Sequence, residues 1–159
     1  MTPSRPVLRE SLALGARIVL GALFVYLGTV KAMDPIGFLK LVRQFDLLPQ
    51  PFLLNAVSGL LPWFEIFCGG LLLAGIRPRG TALVAALLLV AFTALLALRA
   101  LAIFRAGQMP FCTIRFDCGC GTGEVLICAK LAENAATTLL AFVILCRGGR
   151  QFCLWPDPD

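Results

Sequence analysis

Four stretches of this chain are each long and apolar enough to cross a lipid bilayer, and nothing else limits its fold as strongly. They run from about Leu12 to Ala32, Phe52 to Ile76, Thr81 to Phe104 and Val125 to Cys146. A spanning helix needs roughly 20 apolar residues, since each advances it about 1.5 Å through a hydrocarbon layer about 30 Å thick. The third stretch has no charge between Thr81 and Leu98. The first contains Arg17, the second Glu65, and the fourth Lys130 and Glu133 in its opening turns. Ala, Leu and Gly dominate throughout, without the alternation of barrel strands, so helices satisfy the backbone in lipid.

Composition agrees. Charged residues make up 14% of the chain and hydrophobic ones 59%, against roughly a quarter charged in a soluble domain. With a mean hydropathy of +0.89, much of the apolar surface must face lipid. The net charge of +5 is what Lys and Arg at helix ends supply, and no solvated basic face with interleaved aromatics points to nucleic acid. There is no His, which removes the commonest general base and neutral metal ligand. The expectation is an all-α, polytopic four-helix bundle forming one integral-membrane unit over residues 1–159. Val30 and Ala32 satisfy the small-residue rule of a signal-peptide cleavage site, but Arg17 interrupts the apolar run, so the first helix is expected to stay.

Between the first two spans, Phe38, Leu41, Val42, Phe45 and Leu48 recur at helical spacing. They predict an amphipathic surface helix over about 35–48. Residues 75–80, Gly-Ile-Arg-Pro-Arg-Gly, read as a tight turn. Four spans put both termini on one side. That side would hold Arg5, Arg9, Arg77, Arg79, Arg147 and Arg150, and the other Lys31, Lys40, Arg43, Arg105, Arg115 and Lys130. The counts tie, but the first group lies in very short loops and at helix ends, where positive charge orients most strongly. The termini are therefore expected in the cytoplasm of a bacterial inner membrane, with the last long loop in the periplasm.

That loop, 105–124, carries the chemistry. Of seven cysteines, Cys112, Cys118 and Cys120 lie in it and Cys128 opens the fourth helix. On an oxidising face such thiols are paired or redox-active. Gly119 gives Cys118 and Cys120 the backbone freedom that a bond between residues two apart requires, and a bond closed under strain is more oxidising than a structural bridge. Arg115 favours thiolate there. Cys118 and Cys120 are thus the expected exchanging pair, with Cys112 and Cys128 a second pair or resolving thiols, and electrons could pass on to a quinone in the bilayer. Static disulfides pinning the loop to the last helix are a rival reading. A metal is ranked lowest, since the spacing lacks the paired two-residue gaps of zinc ribbons. Cys68 and Cys146 read as packing residues.

Arg17 and Glu65 are ionisable groups inside spans, which pair or line a cavity. Counted at about 1.5 Å per residue from the outer helix ends, both lie roughly 17–20 Å deep and Asn134 about 13 Å. The expectation is an Arg17–Glu65 ion pair joined by Asn134, fixing helix register or lying near a quinone head. A transporter is ranked last, because no inverted repeat is visible.

Several motifs carry a resemblance. Arg17-Ile-Val-Leu-Gly21, Gly28-Thr-Val-Lys31, Asp34-Pro35, Leu61-Pro62-Trp-Phe-Glu65 with Gly69-Gly70, Asp117-Cys118-Gly119-Cys120-Gly121, and Lys130-Leu131 with Asn134 together resemble the DoxX/MauE superfamily of four-helix membrane proteins. The cysteine motif is similar to the Cys-x-Cys-Phe-Gly of MauE, with Gly121-Thr122 in place of Phe-Gly. The resemblance spans about residues 10–146. It implies a MauE-like role in methylamine utilisation, supporting disulfide formation in the methylamine dehydrogenase small subunit. DoxX relatives are linked to thiol redox systems and thiosulfate:quinone oxidoreduction. The expected partners are a periplasmic client protein or a thioredoxin-like protein, and the lipid bilayer. The alternative is a non-catalytic assembly scaffold with static loop disulfides.

Overall fold

The computed structural model describes residues 5–44, 50–107, 109–117, 124–147 and 152–157. In chain order they form α1 (Arg5–Met33), α2 (Pro35–Gln44), α3 (Pro51–Ala74), α4 (Pro78–Arg105), a 3₁₀ turn (Phe111–Thr113), β1 (Arg115–Asp117), β2 (Glu124–Leu126) and α5 (Ile127–Arg147). Helices α1, α3, α4 and α5 are each long and apolar enough to cross a membrane. Neighbours run antiparallel, with α1 packed mainly on α3 and α4 on α5.

Local chemistry sets the boundaries. Asp34 caps α2: its Oδ1 accepts from the Gly37 N–H at 2.9 Å, and Pro35 occupies the first turn, where no N–H is needed. Phe38 and Leu41 of α2 are buried while Lys40 and Arg43 face outward, as an amphipathic helix requires. Phe45 and Leu48, expected on the same face, lie outside the described residues. α3 ends two residues earlier than its hydropathy suggests. Gly75 takes the left-handed conformation, φ +68°, and the Gly75 and Ile76 N–H groups close onto Leu72 and Leu71. α4 starts at once from Pro78, so the turn expected over 75–80 shrinks to residues 75–77. Val125, expected to open the last helix, belongs to β2 instead.

The core is built of small and medium side chains: Ala16, Leu20 and Phe24 of α1, Cys68 and Leu72 of α3, Ala82 and Ala85 of α4, and Ala141 and Ile144 of α5. Cys68 is a packing residue, as its setting suggested. Cys146 is exposed, against expectation, because Ile144 takes the core position in the last turn of α5. Phe52, Leu60, Trp63, Phe67, Leu98 and Phe142 point outward. Only 22–39% of each spanning window is buried within the protein, so the rest needs lipid.

Residues 152–157 lie over the α3–α4 turn. Trp155 bridges Ile76 in parallel, the Arg77 N–H donates to the Trp155 carbonyl at 2.8 Å, and the Arg79 N–H donates to Asp157 Oδ2 at 2.9 Å. These bonds hold Arg77 at φ 42°, a left-handed conformation unusual for a residue with a Cβ.

Glycine decides how closely α1 and α3 approach. A Cβ on Gly69 would lie 2.7 Å from the Gly21 carbonyl oxygen and 2.8 Å from the Val25 nitrogen, and one on Gly28 would lie 2.7 Å from the Pro62 carbonyl oxygen. The helices thus touch backbone to backbone, as in membrane interfaces of small residues. Beside Gly69, a Cβ on Gly70 would meet nothing within 4 Å. Gly69→Ala is therefore expected to cost about 1–3 kcal/mol through overpacking, whereas Gly70→Ala leaves stability unchanged or raises it by up to about 1 kcal/mol. Thermal unfolding of the two purified variants in detergent checks the contrast.

Candidate functional site

The described part of the cysteine loop forms the base of a hairpin. β1 and β2 pair antiparallel, with Arg115 opposite Leu126, Phe116 opposite Val125 and Asp117 opposite Glu124. Just below the ladder, the Ile127 N–H donates to the Ile114 carbonyl at 3.0 Å. Ile114 and Ile127 are both buried, packing with Leu96 and Ala100 of α4. Cys112, in the 3₁₀ turn, and Cys128, in the first turn of α5, form a disulfide with their Cα atoms 5.1 Å apart. It lies just below the ladder and joins the 3₁₀ turn to α5, so the bond fastens the base of the hairpin to the bundle. Cys118 and Cys120 fall within the six residues that connect the strands, 118–123, which lie outside the described residues.

The ionisable residues of the bundle pair differently from expectation. Arg17 does not meet Glu65. Both Glu65 oxygens accept from Lys31 Nζ, at 2.6 and 2.8 Å, and the two side chains are only 7% and 15% exposed. The expected pairing assumed that the outer ends of α1 and α3 lie level. In fact Gly28 of α1 stands against Pro62 and Ile66, and Gly21 against Gly69 and Leu73. α3 therefore begins about two turns beyond the end of α1, where α2 packs on it. This offset puts Lys31 beside Glu65 and leaves Arg17 level with Gly75, about 15 Å further along α3 at 1.5 Å per residue. There Arg17, 2% exposed, donates to Cys153 Sγ and to the Phe152 carbonyl, both at 2.8 Å. Its role is to tie α1 to the C-terminal segment at the far end of the bundle.

Asn134 likewise does not join Arg17. Its Nδ2 donates to Thr93 Oγ1 of α4 at 3.1 Å. It does share a cavity with Glu65. This space, about 160 Å³, lies among α1, α3, α4 and α5, and Lys31, Glu65, Lys130 and Asn134 are the polar groups lining it. Phe24, Leu61, Leu89 and Phe92 supply apolar wall. Lys130 is 5% exposed and bonds Glu133 Oε2 at 3.0 Å, with the Glu133 side chain half-exposed. Lys31 Nζ also lies 5.5 Å from the Phe38 ring centroid and 5.9 Å from that of Phe92, distances at which a ring face attracts a cation.

Lys31 and Lys130 were missed as site residues because both stand at helix ends, where a lysine ordinarily snorkels. The available signal was helical spacing. Lys31 follows Phe24 and Gly28 on the buried stripe of α1, and Lys130 precedes Asn134 by one turn on that of α5.

Removing one partner from the buried pair leaves an uncompensated charge, which typically costs about 3–5 kcal/mol. Lys31→Met is expected to destabilise the protein by about that amount, and Lys31→Met with Glu65→Met to recover most of it. A double-mutant cycle on unfolding in detergent checks both values.

A family model described as methylamine utilisation protein MauE matches residues 9–147. No curated protein and no solved structure matches the chain.

Proposed function

The chain belongs to the MauE family, and from that membership we propose that it is a membrane-bound thiol–disulfide redox or maturation factor. Its client is a protein outside the cytoplasmic membrane, of which the methylamine dehydrogenase small subunit is the candidate that the family suggests. A thioredoxin-like protein is the alternative partner. The observation that carries this reading is the Cys112–Cys128 bridge. It secures the base of a hairpin whose connecting residues include Cys118 and Cys120, giving a cysteine pair at one end of four membrane-length helices a rigid support.

In this reading a client thiolate attacks one sulfur of a Cys118–Cys120 disulfide and displaces the other as thiolate. The second client thiol then cleaves the mixed disulfide. The client leaves with a new S–S bond, and Cys118 and Cys120 are left as two thiols. Cys112 and Cys128 are the second pair, able to reoxidise the first by the same exchange.

Charge placement supports a periplasmic hairpin. Lys31 and Lys130 are buried in ion pairs, so they count little towards the charge of the hairpin end. Lys40, Arg43, Arg105 and Arg115 remain there, against the six arginines of the opposite end. Together with the short loops at that opposite end, this favours cytoplasmic termini.

One observation favours a second reading. The Cys112–Cys128 bond lies where a static staple is needed, between the 3₁₀ turn and α5, and a non-catalytic assembly scaffold would require nothing more.

Cys118→Ser and Cys120→Ser are each expected to abolish client oxidation while the protein still inserts, and acid-quenched thiol trapping should capture a mixed disulfide with the client. Normal client oxidation in both variants eliminates the exchange reading. Loop disulfides that never turn over in the trapping assay establish the scaffold.

A further inference from the structure

We propose, resting on the thiol-oxidation reading above, that the cavity bounded by Lys31, Glu65, Lys130 and Asn134 binds the ring of a lipid-soluble quinone, which takes the electrons released when loop thiols close into a disulfide. Three features of the cavity select this ligand class.

The first is size. At about 160 Å³ the space is close to the roughly 150 Å³ that admits a single six-membered ring. Phe24 and Phe92 give it flat apolar walls.

The second is the polar set. Two ammonium groups and an amide are strong donors, and they face one lining carboxylate. A neutral ring carrying carbonyl oxygens accepts from such donors. The two ammonium groups also become more favourable partners as reduction puts negative charge on those oxygens. A ligand made only of hydrocarbon would press against these charged and polar groups without adding any polar contact.

The third is location. Cys128 precedes Lys130 by two residues and Asn134 by six on α5, which places the cavity about 3–9 Å along the helix axis from the disulfide. The wall on α4 includes Ala91 and Leu95, both exposed, and α3 and α4 share far less contact than α1 with α3. The cavity is therefore open to the lipid, where such a molecule dissolves.

The step balances. Reduced Cys118 and Cys120 exchange with the Cys112–Cys128 disulfide and leave Cys112 and Cys128 as thiols. Their two S–H bonds then break and the S–S bond re-forms. Two electrons and two protons pass to the two ring oxygens, giving a quinol. Glu133, half-exposed and bonded to Lys130, connects that lysine to water for proton exchange.

The test uses the full chain in lipid nanodiscs, titrated with decylubiquinone and, separately, with decanoate. One saturable quinone site per chain is expected, and anaerobic mixing with the reduced protein should consume two thiols per quinol formed. Lys31→Gln should weaken binding roughly tenfold or more, the worth of one charge-assisted hydrogen bond. Ala91→Phe, which narrows the mouth without touching the ion pair, should do the same if Lys31→Gln fails to fold. Cys118→Ser with Cys120→Ser should bind quinone normally, since the cavity does not need those thiols. Absence of saturable quinone binding, binding unchanged in Ala91→Phe, or tighter binding of decanoate overturns the inference. If a client mixed disulfide still forms in that case, the parent reading stands. Tight quinone binding without thiol loss overturns the electron-acceptor role, and absence of any mixed disulfide overturns the parent reading instead.

Discussion

The backbone contact between α1 and α3 governs the rest of this protein. At Gly21, Gly28 and Gly69 there is no room for a Cβ, so the two helices can slide past each other only by losing that contact. Lipid supplies no hydrophobic drive to hold spanning helices together, and close packing of small residues takes its place. The resulting register determines which ionisable residues meet. Lys31 falls beside Glu65, and Arg17 is carried to the opposite end, where it binds the C-terminal segment.

The two ends of the bundle consequently do different work. At one end, Arg17, the left-handed Gly75 and the strand-like segment around Trp155 close the short turn between α3 and α4. At the other, α3 and α4 separate. The space between them is filled partly by the Lys31–Glu65 pair and partly by the cavity beneath the hairpin. The disulfide and the buried Ile114 and Ile127 anchor that hairpin to the bundle just above the polar groups. A cysteine-bearing loop and a polar cavity among the helices are thus joined by the first turns of a single helix, α5.

Much of this was legible from sequence, because hydropathy and spacing report one-dimensional properties. Four apolar runs read directly as spans, and Phe38 and Leu41 marked the buried face of α2. The polar core was half legible. Glu65 and Asn134 stood out as polar residues within apolar runs, and they do line one cavity. Lys31 and Lys130 did not, since at helix ends a buried lysine and a snorkelling one look alike. The Arg17–Glu65 pairing failed because depth counted from helix ends assumes level ends, and α3 overshoots α1 by about two turns.

What the sequence determined by itself is the helical membrane class, the number of spans and a loop rich in cysteine, because each follows from runs of residue types along the chain. What the tertiary structure alone decided is which charge meets which and that Cys112 bonds Cys128. It also decided that the two lysines turn inward to line a cavity. These depend on distances between residues far apart in the chain. The meeting of Lys31 and Glu65 follows from the glycine contacts of α1 and α3, and the disulfide from the hairpin that brings the 3₁₀ turn to α5; no single segment reveals either partner.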